Sequence, residues 1–329
     1  MDEVLEKINE LYGLKLELLE KVTKGFLSEN HVLIDTIGNK KYFLKQYRFD
    51  KEDKIKEIHL AKKYFFEKGI PVIMPIEHNL SSTFFYIENK YFALFPFVLD
   101  HRDQNNGLSD KAIVSLGKML GRIHLAGKNA QVDIKEKFEG WNKEKLLLKA
   151  QEIKSVIQKI KTPNTFDKKA LKDLELRRSI IESNNKTFEY FGLEADHLIQ
   201  GDYHADNVFF DENDEVSHVF DFEKSFYAPR MFELFRAMVF LLFRAGIDQE
   251  KMAKARIYLQ AYLSVYPAPK EELKKGLELF YLRFVHGFWV VSEHYLKGNT
   301  RVDQFLSQDY ERIKYFSENL DSLADKLIN

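Results

Sequence analysis

Cysteine is absent from the sequence. Composition alone therefore excludes disulfides, thiolate nucleophiles and cysteine-bound zinc. An excess of charge of either sign is also missing. The formal net charge is -1, so bulk electrostatics argue for neither nucleic acid nor an anionic membrane as partner. Long apolar runs are lacking too. The most apolar stretch, residues 237–243, is far shorter than a membrane span. The N-terminal MDEVLEKINE is acidic and amphipathic, unlike a signal peptide, and there is no internal repeat or low-complexity tail. These absences lead to the expectation of a soluble cytoplasmic protein, with oligomeric state left open.

What is present is a globular composition, 45% hydrophobic and 31% charged, with 28 Phe and 16 Tyr that promise a large aromatic core. A chain of 329 residues exceeds one core of usual size, so two lobes are expected. Val4, Leu5, Ile8, Leu11 and Tyr12 recur at helical spacing and stop at Gly13. Alternation then predicts strands from Leu14, over HVLID, and over KKYFLKQYR after a Gly38-Asn39 turn. Asp50 to Lys68 reads as a helix stopped by Gly69. Residues 72–76, 84–87 and 91–97 read as further strands. A polar run at 100–107 marks the expected joint, giving a sheet lobe over 1–97 and a helical lobe over 98–329. Ser109 caps a predicted helix through Leu125. Residues 135–186, rich in Lys and Glu, read as two long helices around Thr162-Pro163.

The stretch IQGDYHADNVFF, 199–210, sets Asp202, His204, Asp206 and Asn207 between apolar runs. Val208 to Phe210, a DEND turn and Val216 to Phe220 read as a β-hairpin, which would return Asp221 to the neighbourhood of Asn207. A carboxylate and an amide oxygen are hard ligands suited to Mg²⁺, and Asp202 is left to act as a base or to orient a hydroxyl. Phosphoryl transfer asks for little more: a positioned nucleophile and a metal on the phosphates.

The set Q-G-D-Y-H-A-D-N followed by D-F-E resembles the aminoglycoside phosphotransferase family, a branch of the protein-kinase-like fold that includes choline, homoserine and methylthioribose kinases. The resemblance spans roughly residues 14–300. It implies an α+β, two-lobed fold with an antiparallel-sheet N-lobe and a mostly helical C-lobe. It implies ATP as donor, with GTP open, and Mg²⁺. Asp202 would be the catalytic base, and Asn207 and Asp221 the metal ligands. Lys45 would neutralise the nucleotide phosphates, paired with Glu57, or with Glu52 as second candidate. The loop TKGFLSENHVLID would cover the nucleotide through Gly25, Ser28 and Asn30, and YFALFPF would supply the hinge through Phe95 and Phe97.

Two positions depart from the family pattern. Gln200 stands where the family usually has a supporting His. Glu233 stands where an Asp usually braces the catalytic loop, so either the brace shifts or Glu233 and Arg236 share it. The helical segment 131–190 lies where the family inserts substrate-binding helices. Glu223, Glu233, Trp289 and Glu293 are candidate contacts to a small hydroxylated acceptor such as an aminoglycoside, amino alcohol, sugar or homoserine-like molecule. Only about eight residues separate Asp221 from Pro229, too few for the peptide-binding segment of a regulated protein kinase. A protein acceptor and a nucleotide-binding scaffold without turnover are the alternatives. Plainer readings stand beside these. His204 and Asp206 form an H-x-D pair that a zinc hydrolase would use, but no matching His pair lies nearby. DENDE begins like a calcium loop, yet Val216 and Phe222 occupy the positions of its Gly and Glu, so a hairpin turn is expected. His124 reads as a satisfied core histidine.

Overall fold

Alternation in the N-terminal third builds a five-stranded antiparallel sheet in the order β1-β2-β3-β5-β4. The strands are β1 (Leu16–Val22), β2 (Asn30–Asp35), β3 (Lys41–Gln46), β4 (Phe85–Ile87) and β5 (Lys90–Pro96). The structure is a computed structural model that describes residues 1–22, 29–102, 107–243 and 246–328. Side chains of a strand point alternately to its two faces, and both faces of this sheet are covered. Phe92 and Leu94 of β5 join Leu33 and Leu44 against Val4, Ile8 and Leu11 of helix α1 (Asp2–Tyr12). Tyr91, Ala93 and Phe95 point the other way, onto Ile55 and Ile58 of helix α2 (Glu52–Glu67). Lys45 follows Leu44 and is opposed by Ala93, so strand parity turns it toward α2 and away from α1.

The helix ends and turns follow local chemistry. Gly13 closes α1 at φ 64, and Gly69 follows α2 at φ 77. At the β2–β3 turn the Asp35 carboxylate accepts from the N–H groups of Ile37 and Gly38, at 3.2 and 2.9 Å. One predicted strand is corrected. Residues 72–76 make only an isolated bridge, Val72 to Val219, because Pro71 and Pro75 remove the donors a ladder needs. This segment instead stitches the sheet to the rest of the chain. Ile73 N–H donates to Val219 O at 3.1 Å, and Val219 N–H donates to Pro71 O at 2.8 Å.

The remainder is mostly helical: α3 (Asp110–Gly127), α4 (Lys143–Gln158), α5 (Thr165–Ser183), α6 (Arg230–Leu242), α7 (Gln249–Val265), α8 (Lys270–Val285), α9 (Trp289–Lys297) and α10 (Leu306–Ile328). Two small ribbons interrupt it. β6 (His197–Ile199) pairs with β9 (Phe226–Ala228), and β7 (Val208–Phe210) with β8 (Val216–Val219). Ser109 caps α3 by accepting from Ala112 N–H at 3.1 Å. Asn164 and Asp167 form a reciprocal capping box on α5, so the break at Thr162-Pro163 separates two helices, the first of which starts at 143 and not at 135. The family fold expected from the motifs is thus the fold observed: an antiparallel sheet followed by a helical body. No helix among the described residues is long and apolar enough to cross a membrane.

Helices α3 and α7 cross at glycine distance. A Cβ on Gly117 would stand 2.4 Å from Tyr258 O, and one on Gly121 would stand 2.9 Å from Val265 Cβ. Gly117→Ala is therefore expected to destabilise the protein by about 1–3 kcal/mol in urea titrations, although alanine is the better helix former. A gain of about 1 kcal/mol, the propensity difference alone, would mean that the crossing yields freely.

Candidate active site

The loop after β6 is held from below by a buried carboxylate. Glu233, on the first turn of α6, has no solvent exposure, and its Oε1 accepts from the N–H of Gly201. Its Oε2 accepts from Gln200 N–H at 3.2 Å and lies 2.9 Å from His124 Nε2. His124 is a core residue whose pKa is lowered by burial, against the opposing pull of Glu233. Gly201 sits at φ 83, and a Cβ there would fall 1.8 Å from Lys224 O. Only glycine lets the loop press so closely on the strand end at 221–224.

Gln200 ties the same two segments together. Its Oε1 accepts from Asp202 N–H at 2.7 Å, and its Nε2 donates to Phe220 O at 3.1 Å and to Asp221 O at 2.5 Å. One amide thus supplies both an acceptor and a donor, which explains how glutamine serves where the family pattern has histidine.

Asp202 faces the cleft between the sheet and the helices. Arg236, one turn along α6 from Glu233, pairs with Oδ1. Lys224 binds Oδ2 at 2.9 Å, and His204 Nε2 lies 3.6 Å from that oxygen. Burial opposes ionisation of Asp202, but Arg236, His204 and Lys224 outweigh it and hold the carboxyl well below the usual range. Asn207 points its amide nitrogen at Asp202 O, 3.0 Å away, and at His204 Nε2, 3.1 Å away. Its side-chain oxygen is the end left to face a cation.

Asp221 stands at the end of the β7–β8 hairpin at φ 55. Lys45 Nζ reaches its Oδ1 at 2.9 Å and Glu223 Oε1 at 2.9 Å, and Arg48 Nε lies 3.3 Å from Glu223 Oε2. Burial opposes the charge on Lys45, yet the two carboxylates outweigh it and raise its pKa. Asp221 is lowered in turn: burial pushes it up, and Lys45 pulls it down further. The hairpin thus brings Asp202, Asn207, Asp221 and Lys45 together although 176 residues separate the last pair.

Four expectations are corrected, and a fifth candidate, Glu293, is placed. Glu57 does not pair with Lys45; it lies 3.5 Å from Lys54, one turn away on α2, with 13% of its side chain exposed. The second carboxylate on Lys45 is Glu223, so that residue is buried against Lys45 and is not free for an acceptor. Glu233 is the loop brace and touches no cleft. Glu293 is engaged by Lys297 at 2.6 Å and Asn299 at 3.0 Å. Phe95 is wholly buried, its ring edge-on to Phe220 at 5.2 Å, and so lies behind the cleft, not at a hinge surface.

Other candidates are placed as follows. Asn30 opposes Lys45 across β2 and β3, and its amide oxygen is buried without a protein partner. Phe97 is part exposed, with Lys41 Nζ 5.7 Å from its ring centre. Trp289 opens α9 and packs on Phe305 at 5.7 Å. Glu52 pairs with Lys56. Gly25 and Ser28 lie outside the described residues. DENDE is a hairpin turn, its Asp211 carboxylate accepting from the N–H groups of Asn213 and Glu215. Among the described residues, no three His, Asp or Glu side chains gather as a metal site, so the H-x-D pair gains no third ligand.

Sequence reasoning missed Lys62. It is fully buried on α2, donates to Ile73 O at 3.2 Å, and lies over Phe95, Phe220 and Phe222 at 5.0, 4.5 and 5.3 Å. Burial, then Lys45, push its pKa down to about 7. Ile55, Ile58 and Phe65 lie on the same helical face, so a lysine inside an apolar stripe was the available signal.

Residues 19–271 match the family described as "Phosphotransferase enzyme family". No curated protein matches the chain. Among solved structures, a microcompartment-associated aminopropanol kinase is similar with a TM-score of 0.64 at 13% identity, covering 97% of this chain and 98% of that one. The amicoumacin kinase hAmiN, in complex with AMP-PNP, Ca²⁺ and Ami, aligns at a TM-score of 0.59 and 16% identity over 94% and 93% of the two chains. A spectinomycin phosphotransferase bound to ADP and spectinomycin does so at 0.59 and 16%, over 98% and 97%. At these identities the likeness is one of fold.

Proposed function

Because the chain belongs to the phosphotransferase enzyme family, we propose that it transfers the γ-phosphate of ATP to a hydroxyl group of a small molecule. The observation that carries this reading is the convergence of Lys45, Asp221, Asn207 and Asp202 on one cleft. The nucleotide lies between sheet and helices, where Lys45 meets its phosphates. Asn30, opposite Lys45, and Phe97, at the end of β5, border the nucleotide side. The donor types fit magnesium: one carboxylate, Asp221, and one amide oxygen, Asn207, a pair that phosphate oxygens and water would complete. Bound there, Mg²⁺ would neutralise charge on the transferring phosphoryl group.

Asp202 orients the acceptor hydroxyl for in-line attack. The hydroxyl oxygen bonds to the γ-phosphorus, the bond to the bridging oxygen breaks, and ADP departs with that electron pair. The acceptor proton passes to Asp202. A carboxylate held as low as Asp202 is a weak base, so it takes the proton late, once the oxygen has given density to phosphorus. Trp289, part exposed on α9, and the helices of 131–190 are proposed to border the acceptor. Which nucleoside triphosphate serves in the cell is a separate question that donor competition with GTP answers.

The test is transfer of labelled phosphate from MgATP into pooled amino alcohols, sugars, nucleosides and aminoglycosides. A labelled product establishes the reaction and its acceptor class together. MgATP binding without transfer to any acceptor would favour a nucleotide-binding scaffold or a protein acceptor. Asp221→Ala is expected to weaken MgATP binding about 10- to 100-fold by calorimetry, with little effect on metal-free ATP. Equal losses with and without Mg²⁺ would remove Asp221 from the metal role.

A further inference from the structure

Two cations meet the single carboxylate of Asp202. Arg236 and Lys224 both bind it, one on each oxygen. The Arg236 guanidinium has one end hydrogen-bonded: Nη2 meets Asp202, Nη1 is buried without a hydrogen-bond partner, and Cζ lies 4.9 Å from the centre of the Phe240 ring. A buried N–H left unpaired costs on the order of 1–3 kcal/mol, and guanidinium presents its donors as a planar fork matched to carboxylate and phosphate. The other carboxylates that could face an acceptor are already paired, and Asp221 is held by Lys45. Glu223 is taken by Lys45 and Arg48, Glu293 by Lys297 and Asn299, and Glu233 by the loop it braces. Glu136 lies 3.3 Å from Lys54, and Asp303 2.8 Å from His294. A polycationic acceptor would meet two cations at the reacting hydroxyl and find its acidic candidates already paired.

Resting on the reading of Asp202 as the group that orients the acceptor hydroxyl, we infer that Arg236 and Lys224 form an anion subsite. The acceptor then carries a carboxylate or phosphate close to the hydroxyl it phosphorylates. A carboxylate offers about four lone-pair sites, so Asp202 can keep its cations and still accept the hydroxyl. The acceptor's anion shares the Lys224 ammonium, which is about half exposed and able to turn, and meets the Arg236 guanidinium, whose side chain keeps 17% of its surface in solvent.

Four probes share one three-carbon alcohol: 1,3-propanediol, 3-aminopropan-1-ol, 3-hydroxypropionate and 3-hydroxypropyl phosphate. Each is titrated by calorimetry and ligand-observed NMR into the protein, free and saturated with MgAMP-PNP, whose γ-position keeps the probes off Lys45. The two anions should bind about tenfold or more tighter than the diol and the amine, and the tighter anion separates a carboxylate from a phosphate acceptor. Arg236→Gln and the partly exposed Lys224→Gln should each reduce the anion-to-diol affinity ratio at least about threefold. Tighter binding of the amine overturns the subsite, as does no anion binding at millimolar concentration or a ratio unchanged in both variants. The preceding MgAMP-PNP titration reads the kinase proposal separately. Nucleotide binding with no anion preference sinks only the subsite, and absent nucleotide binding sinks the kinase reading.

Discussion

Asp202→Asn should lower turnover by about 10²- to 10⁴-fold while nucleotide affinity stays nearly unchanged. The substitution keeps the shape of the side chain and removes its charge. An asparagine oxygen can still accept from Arg236, and Lys224, about half exposed, can turn into solvent. The loop beneath is held by other groups, since Glu233 and Gln200 bind its backbone independently of the Asp202 carboxylate. What disappears is the acceptor of the hydroxyl proton. The pH dependence gives a second check. The Asp202 carboxyl sits well below 3.8, so it is ionised from pH 5 upward and contributes no titration there. Turnover retained in Asp202→Asn would take the base role from Asp202. A kcat limb set by an acid titrating between pH 5 and 7, and lost in that variant, would contradict the depressed carboxyl.

Most of the frame was legible because it rests on local rules. The alternation of β2 and β3, the caps at Ser109 and Asn164 and the glycine stops each act within a few residues. The hairpin between Asn207 and Asp221 was legible for the same reason, and it set the two proposed metal ligands close together. The misread strand at 72–76 shows the limit: a short apolar run was present, but two prolines denied it a ladder.

Partner choice within the site was not legible. A lysine on β3 and an acid on the next helix suggested a Lys45–Glu57 pair, but helical phase decides which residue of α2 faces the sheet. Glu57 turns to Lys54 on the flank of α2, and Lys62 takes the position under the sheet. The carboxylate that Lys45 then needs comes from Glu223, two residues beyond Asp221. The second carboxylate on Lys45 is kept, but the segment after the hairpin supplies it instead of α2. No spacing rule encodes it, because it depends on how two distant segments meet.

That exchange predicts the behaviour of Lys45→Met. Removing Lys45 leaves Asp221 and the nearly buried Glu223 facing Arg48 and Lys62 alone. Breaking a buried pair costs about 3–5 kcal/mol. Two features reduce this to about 2–3 kcal/mol. Asp221 keeps 30% of its side chain in solvent, which screens it. Lys62, freed from the repulsion of Lys45, rises from about 7, gains its proton and replaces part of the lost charge. The pH dependence follows from the sign of the shift. In the parent protein Asp221 is depressed below 3.8, so its stabilisation is complete above that value and fades as pH falls through the lower folded value. Without Lys45, burial and the charge of Asp202 are expected to push Asp221 above its ordinary value. Its ionisation then destabilises the fold, and protonation relieves the cost as the pH falls. Urea titrations should therefore find the largest deficit near pH 7.5 and a smaller one near pH 5. Lys62→Met added to Lys45→Met should cost more than the sum of the two single changes, because each lysine covers for the other. A deficit independent of pH, or strict additivity of the two lysines, would show that the carboxylate pair does not hold the charge that this site geometry assigns to it.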